Sequence, residues 1–302
     1  MIKQITITNP KNESLVLTLR EPEKAGLYIE NIEGLGPPKA NINSTELATI
    51  DGALFSSSRM TERNIVMTLG MLFSPTIEEA RLRTYKYFPI KKPIHLLFET
   101  DRRYSEIIGY VESNEPTIFS QQQTTQISIV CPDPFFYEAG GDQTVFSGIK
   151  PIFEFPFEND PPSEKILEFG EILLDTRAIL TYNGDVDTGV VIDIHALGPA
   201  NNIVIHNTMT YEKLEIDTAR ITALTGQPFG AGDTIIISTI RGNRYAQLLR
   251  DGLYTNIISA LDKNSDWFQI SNGDNLFAFT TDEEEETNLM ITFSYRNAYG
   301  GI

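Results

Sequence analysis

Cysteine is nearly absent: Cys131 stands alone in 302 residues, beside only three histidines. An internal disulfide framework is therefore excluded, and so is the Cys and His spacing of zinc fingers. No apolar run approaches the roughly 20 residues that span a bilayer. Met1 to Thr8 alternates apolar with polar side chains and lacks the apolar core of a signal peptide, so the expectation is a soluble protein made in the cytoplasm. Basic residues are scarce, 24 Lys and Arg against 41 Asp and Glu, for a formal charge of -17. The imbalance is uneven: residues 1–138 carry 14 basic against 17 acidic side chains, residues 139–302 carry 10 against 24. Without clustered cations, neither nucleic acid nor an anionic membrane is expected to bind the second half. The sequence also lacks a lipase-type Gly-x-Ser-x-Gly, and Gly34-Leu35-Gly36-Pro37-Pro38 lacks the Lys and Ser or Thr of a phosphate loop. No repeat of solenoid period occurs.

What is present points to a folded, mainly β chain. A hydrophobic content of 41% is ordinary for globular proteins. At this length two domains are expected. Ile5 to Thr8, Leu15 to Leu19 and Arg63 to Gly70 alternate with period two and read as strands. Gly34 to Pro38, Ile50-Asp51-Gly52 and Ser56-Ser57-Ser58 carry turn-forming chemistry. One helix is expected over Pro75 to Tyr87, with Ser74 as its cap, Pro75 in the first turn, Glu78 and Glu79 near its positive end and Pro89 as its stop. Ile94 to Glu99 and Tyr104 to Glu112 form a hairpin pattern across Thr100-Asp101-Arg102-Arg103, and Gln126 to Val130 adds a closing strand.

Two prolines in Cys131-Pro132-Asp133-Pro134, then Phe135-Phe136-Tyr137 and Gly140-Gly141, mark a boundary that divides the chain into 1–138 and 139–302. Beyond it, short alternating runs at Ile152 to Phe157, Ile166 to Leu174, Val190 to Ala196, Ile203 to His206, Thr234 to Ile240, Tyr245 to Leu249 and Leu289 to Tyr295 predict a β-sandwich or barrel. Asn183-Gly184 and Asp251-Gly252 read as hairpin turns. The acidic run Asp282 to Glu286 reads as a solvated loop.

Few residues offer chemistry. Cys131 could pair with His95, His195 or His206 as a nucleophile, but it sits between strand-like Val130 and Pro132, where a buried small hydrophobe fits better. The histidines lie in strand-like segments and read as sheet residues. Asn183 to Gly189 alternates oxygen ligands as a calcium loop does, yet its glycine is a residue late and Ile194 stands where the bidentate Glu belongs. Asp185 and Asp187 as a glycosidase pair have no cleft to support them. Trp267, by stacking on a sugar ring, or the loop at Asp282 to Glu286 is the candidate for glycan contact, although a core position suits Trp267 and Phe268 better. No catalytic residue, metal or cofactor is expected.

Several ordered stretches resemble the distal tail proteins of long-tailed bacteriophages. In the first half these are Ile50 to Arg59, the helix between Ser74-Pro75 and Phe88-Pro89, Gly109-Tyr110-Val111-Glu112, and Cys131 to Tyr137. In the second they are Tyr182 to Asp185 with Thr188-Gly189, Gly232 to Ile237, and Trp267 to Ile270 followed by Gly273-Asp274-Asn275. Arg241-Gly242-Asn243-Arg244 departs from the family's usual Gly-Lys. The resemblance implies an N-terminal β-sandwich or split-barrel-like module with one helix, and a C-terminal sandwich like those of galectins and carbohydrate-binding modules. It implies a non-enzymatic hexameric ring, located in the virion tail at its distal tip, that joins the tail tube protein to the tail-tip protein. Receptor-binding proteins would be carried at the rim, and DNA would pass through an acidic lumen without specific binding. The alternative of another class is a carbohydrate-binding module or adhesin for host cell-wall glycans.

Overall fold

The computed structural model describes residues 1–47, 51–72, 76–120, 122–141, 143–147, 150–151, 170–171, 177–282 and 288–302. The chain divides into two compact units, Met1–Gly141 with Ala298–Ile302, and Asp142–Asn297. Unit 1 begins with β1 (Ile2–Thr8), β2 (Ser14–Thr18), β3 (Leu27–Glu33), β4 (Ala40–Glu46), β5 (Ala53–Met60) and β6 (Arg63–Met71). Helix α1 (Ile77–Tyr87) precedes β7 (Pro93–Thr100), β8 (Tyr104–Pro116), β9 (Thr124–Cys131) and β10 (Phe136–Glu138). Unit 2 holds β11 (Gln143–Ser147), β12 (Lys150–Pro151), β13 (Gly170–Glu171), β14 (Arg177–Tyr182), β15 (Val191–Ala196), β16 (Ile203–Asn207) and β17 (Glu212–Ile216). After helix α2 (Thr218–Thr225) come β18 (Thr234–Ser238), β19 (Tyr245–Arg250), β20 (Leu253–Asn256), β21 (Gly273–Thr280) and β22 (Leu289–Tyr295). The short β23 (Ala298–Tyr299) belongs to unit 1 again. The fold is mainly β, as the sequence pattern predicts.

In unit 1 the antiparallel order is β2-β1-β7-β8-β9-β6-β3. Period-two alternation puts Ile5, Ile7, Leu15, Leu17, Leu96, Phe98, Ile127, Ile129, Ile65, Met67 and Leu69 on one buried face. Each such side chain stabilises the unit by roughly 1.5–3 kcal/mol. The two ends of the strand order, β2 and β3, come back into contact, so the sheet curls around this core. The strand expected at Gln126 to Val130 is β9, which lies inside the sheet, between β8 and β6. Helix α1 buries Ala80 and Thr84. Its cap is Thr76, whose Oγ1 accepts the Glu79 amide at 3.2 Å. The expected cap Ser74 and first-turn Pro75 lie outside the described residues, and the helix starts two positions later than Pro75. Gly34 is required by space as well as by its φ of +84°: a Cβ there would stand 2.1 Å from the Asn64 carbonyl oxygen.

The strands β4 and β5 pair only with each other among the described residues and form a separate ribbon. Ser56-Ser57-Ser58 is therefore not a turn. These serines lie within β5, held extended by pairing such as Ser57 with Asn43 and Ser58 with Ile42. Ile50 is outside the described residues.

Unit 2 is built on two antiparallel sheets, β11-β22-β15-β18-β19-β20 and β14-β21-β16-β17. Ile192, Ile194, Ile235, Ile237, Ile291 and Phe293 from the first share a core with Leu180, Tyr182, Ile203, Ile205, Leu214 and Phe277 from the second. Rings of Phe268 and Phe277, and of Phe277 and Phe293, pack at 5.0 Å between centroids. Asp251 and Gly252 make the tight β19–β20 hairpin with φ of 51° and 76°. Asn183-Gly184 does not make a hairpin, because β14 pairs with β21 whereas β15 pairs with β18 and β22. It links two sheets. The runs expected at Ile152 to Phe157 and, apart from β13, Ile166 to Leu174 lie outside the described residues, as do residues 283–286 of the acidic run.

Candidate functional site

The most unusual surface is the β4–β5 ribbon. Every residue of both strands is exposed. Residues opposite each other in an antiparallel pair share a face. Ala40 faces Met60, Ile42 faces Ser58, Ser44 faces Phe55 and Glu46 faces Ala53, with a bulge between Asn43 and Ser44. One face thus gathers Ile42, Phe55 and Met60, which are 67%, 66% and 48% exposed. The other carries Asn41, Asn43, Thr45, Ser57 and Arg59 together with the exposed Leu54, with the Asn43 side-chain amide donating to Ser57 Oγ at 2.9 Å. The ribbon exposes large apolar side chains, most of them on one face, yet among the described residues no other strand pairs with it. An isolated two-stranded hairpin is only marginally stable in water, and burying such an exposed apolar face would stabilise it.

The outward face of the unit 1 sheet exposes a second apolar patch. On β8 the outward side chains include Tyr104, Ile108 and Tyr110, all exposed. Ile108 lies opposite His95 on β7, and Tyr110 lies opposite Val130 on β9. His95 Nε2 stands 3.1 Å from Glu106 Oε2 on the same face. Apolar patches of this kind, framed by polar groups, mark contact sites between proteins.

The residues singled out for chemistry are not brought together. Cys131 is buried in the unit 1 core, and burial pushes its thiol up to about 12 despite the nearby Arg63. His95 is in β7, His195 in β15 with Nδ1 3.0 Å from Thr234 Oγ1, and His206 in β16 with Nε2 3.3 Å from Thr280 Oγ1. Among the described residues no group of three or more His, Cys, Asp or Glu side chains is placed to hold a metal. Asp185 and Asp187 lie on the link between β14 and β15. Trp267 packs partly buried against the unit 2 core, with the Arg244 guanidinium 5.5 Å from its ring centroid, while Phe268 is fully buried. No described helix is long and apolar enough to cross a membrane.

Residues 183–299 match the family model described as the siphovirus-type tail component, C-terminal domain. The fold is similar to the crystal structure of the SPP1 Dit protein, described as a paradigm of the hub adsorption apparatus in phages that infect Gram-positive hosts. That similarity has a TM-score of 0.61 at 12% identity and covers 97% of this chain and 98% of that one. A chain of the phage P2 baseplate in its activated conformation is similar with a TM-score of 0.46 at 13% identity, covering 98% of each. No curated protein matches the chain. Residues 183–299 thus match the siphovirus-type tail component domain, and across its whole length the fold is similar to that of the SPP1 Dit protein.

Proposed function

We propose that the chain is a ring-forming hub at the distal end of the tail, six copies closing by rotation, with unit 1 as the ring and unit 2 as the peripheral module. The observation that carries this reading is the exposed ribbon with Ile42, Phe55 and Met60 on one face, which pairs with no other strand among the described residues. A ribbon on one copy and a sheet face on the next make a heterologous contact, which closes into a ring when the rotation allows. The ring would join the tail tube protein above to the tail-tip protein below, and carry receptor-binding proteins at its rim. DNA would pass through it, because a lumen without clustered Lys and Arg does not trap phosphates.

The test is assembly of the wild type against the double variant Ile42→Ser/Phe55→Ser. Both positions are exposed, so the fold should stay within about 0.5 kcal/mol of wild type. The expected result is a hexamer for wild type and a folded monomer for the variant. Hexamers from both would remove the ribbon from the interface, and monomers from both would remove the ring. The rival reading gives unit 2 a grip on cell-wall glycan through Trp267. A sugar stacked there would disturb the Arg244 contact, so titration with wall glycan should change Trp267 emission if that reading holds, and leave it unchanged if unit 2 serves only assembly.

A further inference from the structure

Unit 1 is interrupted in sequence by unit 2. Its first stretch ends at Gly141, and Ala298–Ile302 returns to it. This short segment is tied in at several points. Phe136 pairs with Tyr299 and Tyr137 with Ala298, and the side chains of Ala298 and Tyr299 are buried. The Ile302 amide donates to the Leu35 carbonyl at 3.2 Å. Arg103 donates through Nη1 to the Gly301 carbonyl at 2.7 Å and lies 4.1 Å from the Tyr299 ring centroid.

The strongest tie is Arg63, only 3% exposed although charged. Its guanidinium donates to the carbonyls of Gly34 at 2.5 Å, Gly36 at 2.6 Å, Pro134 at 2.7 Å and Gly300 at 2.6 Å, and lies 4.5 Å from the Phe136 ring centroid. A buried guanidinium needs its acceptors, because a donor left without one forfeits its hydration with no return. Removing Gly300 takes one acceptor from the start of β6, which lies inside the sheet between β9 and β3. It also strips β10 of a strand neighbour and empties the site that Tyr299 fills.

Chain order gives this arrangement a consequence. Domains ordinarily fold as units, N-terminal ones first during synthesis. Here the segment that completes unit 1 is made after residues 142–297. We propose that Ala298–Ile302 is a clasp whose docking completes unit 1, so that the ring-forming surface matures only on chains that already carry unit 2. The assembly half of this statement rests on the ring reading above; the clasp itself does not.

The experiment compares hydrogen exchange of the full chain with that of a chain ended after Asn297, reading unit 2 separately through Trp267, the single tryptophan. The expected result is exchange at least about tenfold faster in β6 and β10 with unchanged Trp267 emission, and no ring from the shortened chain. Unchanged protection in β6 and β10 overturns the clasp, and so does loss of structure that spreads to unit 2. A milder variant, Arg103→Gln, keeps Arg63 and its four acceptors. It should speed exchange in residues 298–302 and β10 by about tenfold without a change elsewhere, and wild-type protection there also overturns the clasp. Rings from the shortened chain overturn the assembly role. If the full chain forms no ring but its β6 protection still depends on the segment, the ring reading falls and the clasp stands.

Discussion

Asp233 and Arg250 form the best-connected buried ion pair described in unit 2. Asp233 accepts from Arg250 Nε at 2.7 Å and from the Gly230 amide at 3.0 Å. Burial pushes its carboxyl upward, but the hydrogen bonds from Arg250 and Gly230 outweigh that and leave it below the usual carboxylate range. A carboxyl lowered in the folded state contributes stability above its unfolded value of about 3.9, and that contribution is lost as pH falls through the lower folded value. Asp233→Asn should therefore flatten the fall in unit 2 stability below about pH 4, measured as urea midpoints from Trp267 emission at pH 7 and pH 3. Arg250→Leu leaves the carboxylate buried without its cation and should cost about 3 kcal/mol at pH 7 in the same assay. In unit 1, Cys131 should resist iodoacetamide in the native protein at pH 8 and react on unfolding, as mass spectrometry would show, because burial holds it as the thiol. Gly34→Ala combines a left-handed backbone with a clash against Asn64 and should cost about 3 kcal/mol, read by thermal unfolding. The burial of Cys131 could be read from its neighbours in sequence. That of Arg63 could not: in Arg63-Asn64-Ile65 it looks like a strand-end cation, and its acceptors come from positions 34, 36, 134 and 300.

Among elements, alternation was the dependable guide, since a strand with one buried face must place Ile192, Ile194 or Ile235, Ile237 two residues apart. Composition misled where pairing overrode it. The serines at 56–58 suggest a turn, yet a ladder to β4 holds them extended. Helix α2 has no apolar stripe long enough to announce it, although Asp217, which accepts the Ala219 amide at 3.0 Å, and Gly226, with φ of 76°, were readable as its two ends. Asn183-Gly184 has hairpin chemistry but joins strands of different sheets, a matter of topology that no dipeptide encodes. The ribbon belongs to the same class. Its apolar face is visible only once the bulge fixes which residues stand opposite, and that face is what the Ile42→Ser/Phe55→Ser variant is designed to remove.

For the whole molecule, two proposals are joined: the ribbon of unit 1, which pairs with no other described strand, meets a neighbouring copy, and unit 1 is completed by a segment made after unit 2. The excess of acidic residues over 139–302 disfavours adhesion of nucleic acid to that half, which is what the proposed passage of DNA through the ring would require. Of the site, the sequence showed the family likeness. It did not show the ribbon's apolar face, which a bulge in a local hairpin sets, or the clasp, whose contacts join residues far apart in the chain. The measurement that tests the ring most directly is electron microscopy of the purified full chain over a range of concentrations. The account predicts particles with sixfold symmetry and a central opening, and particles that remain single compact molecules at every concentration would contradict it.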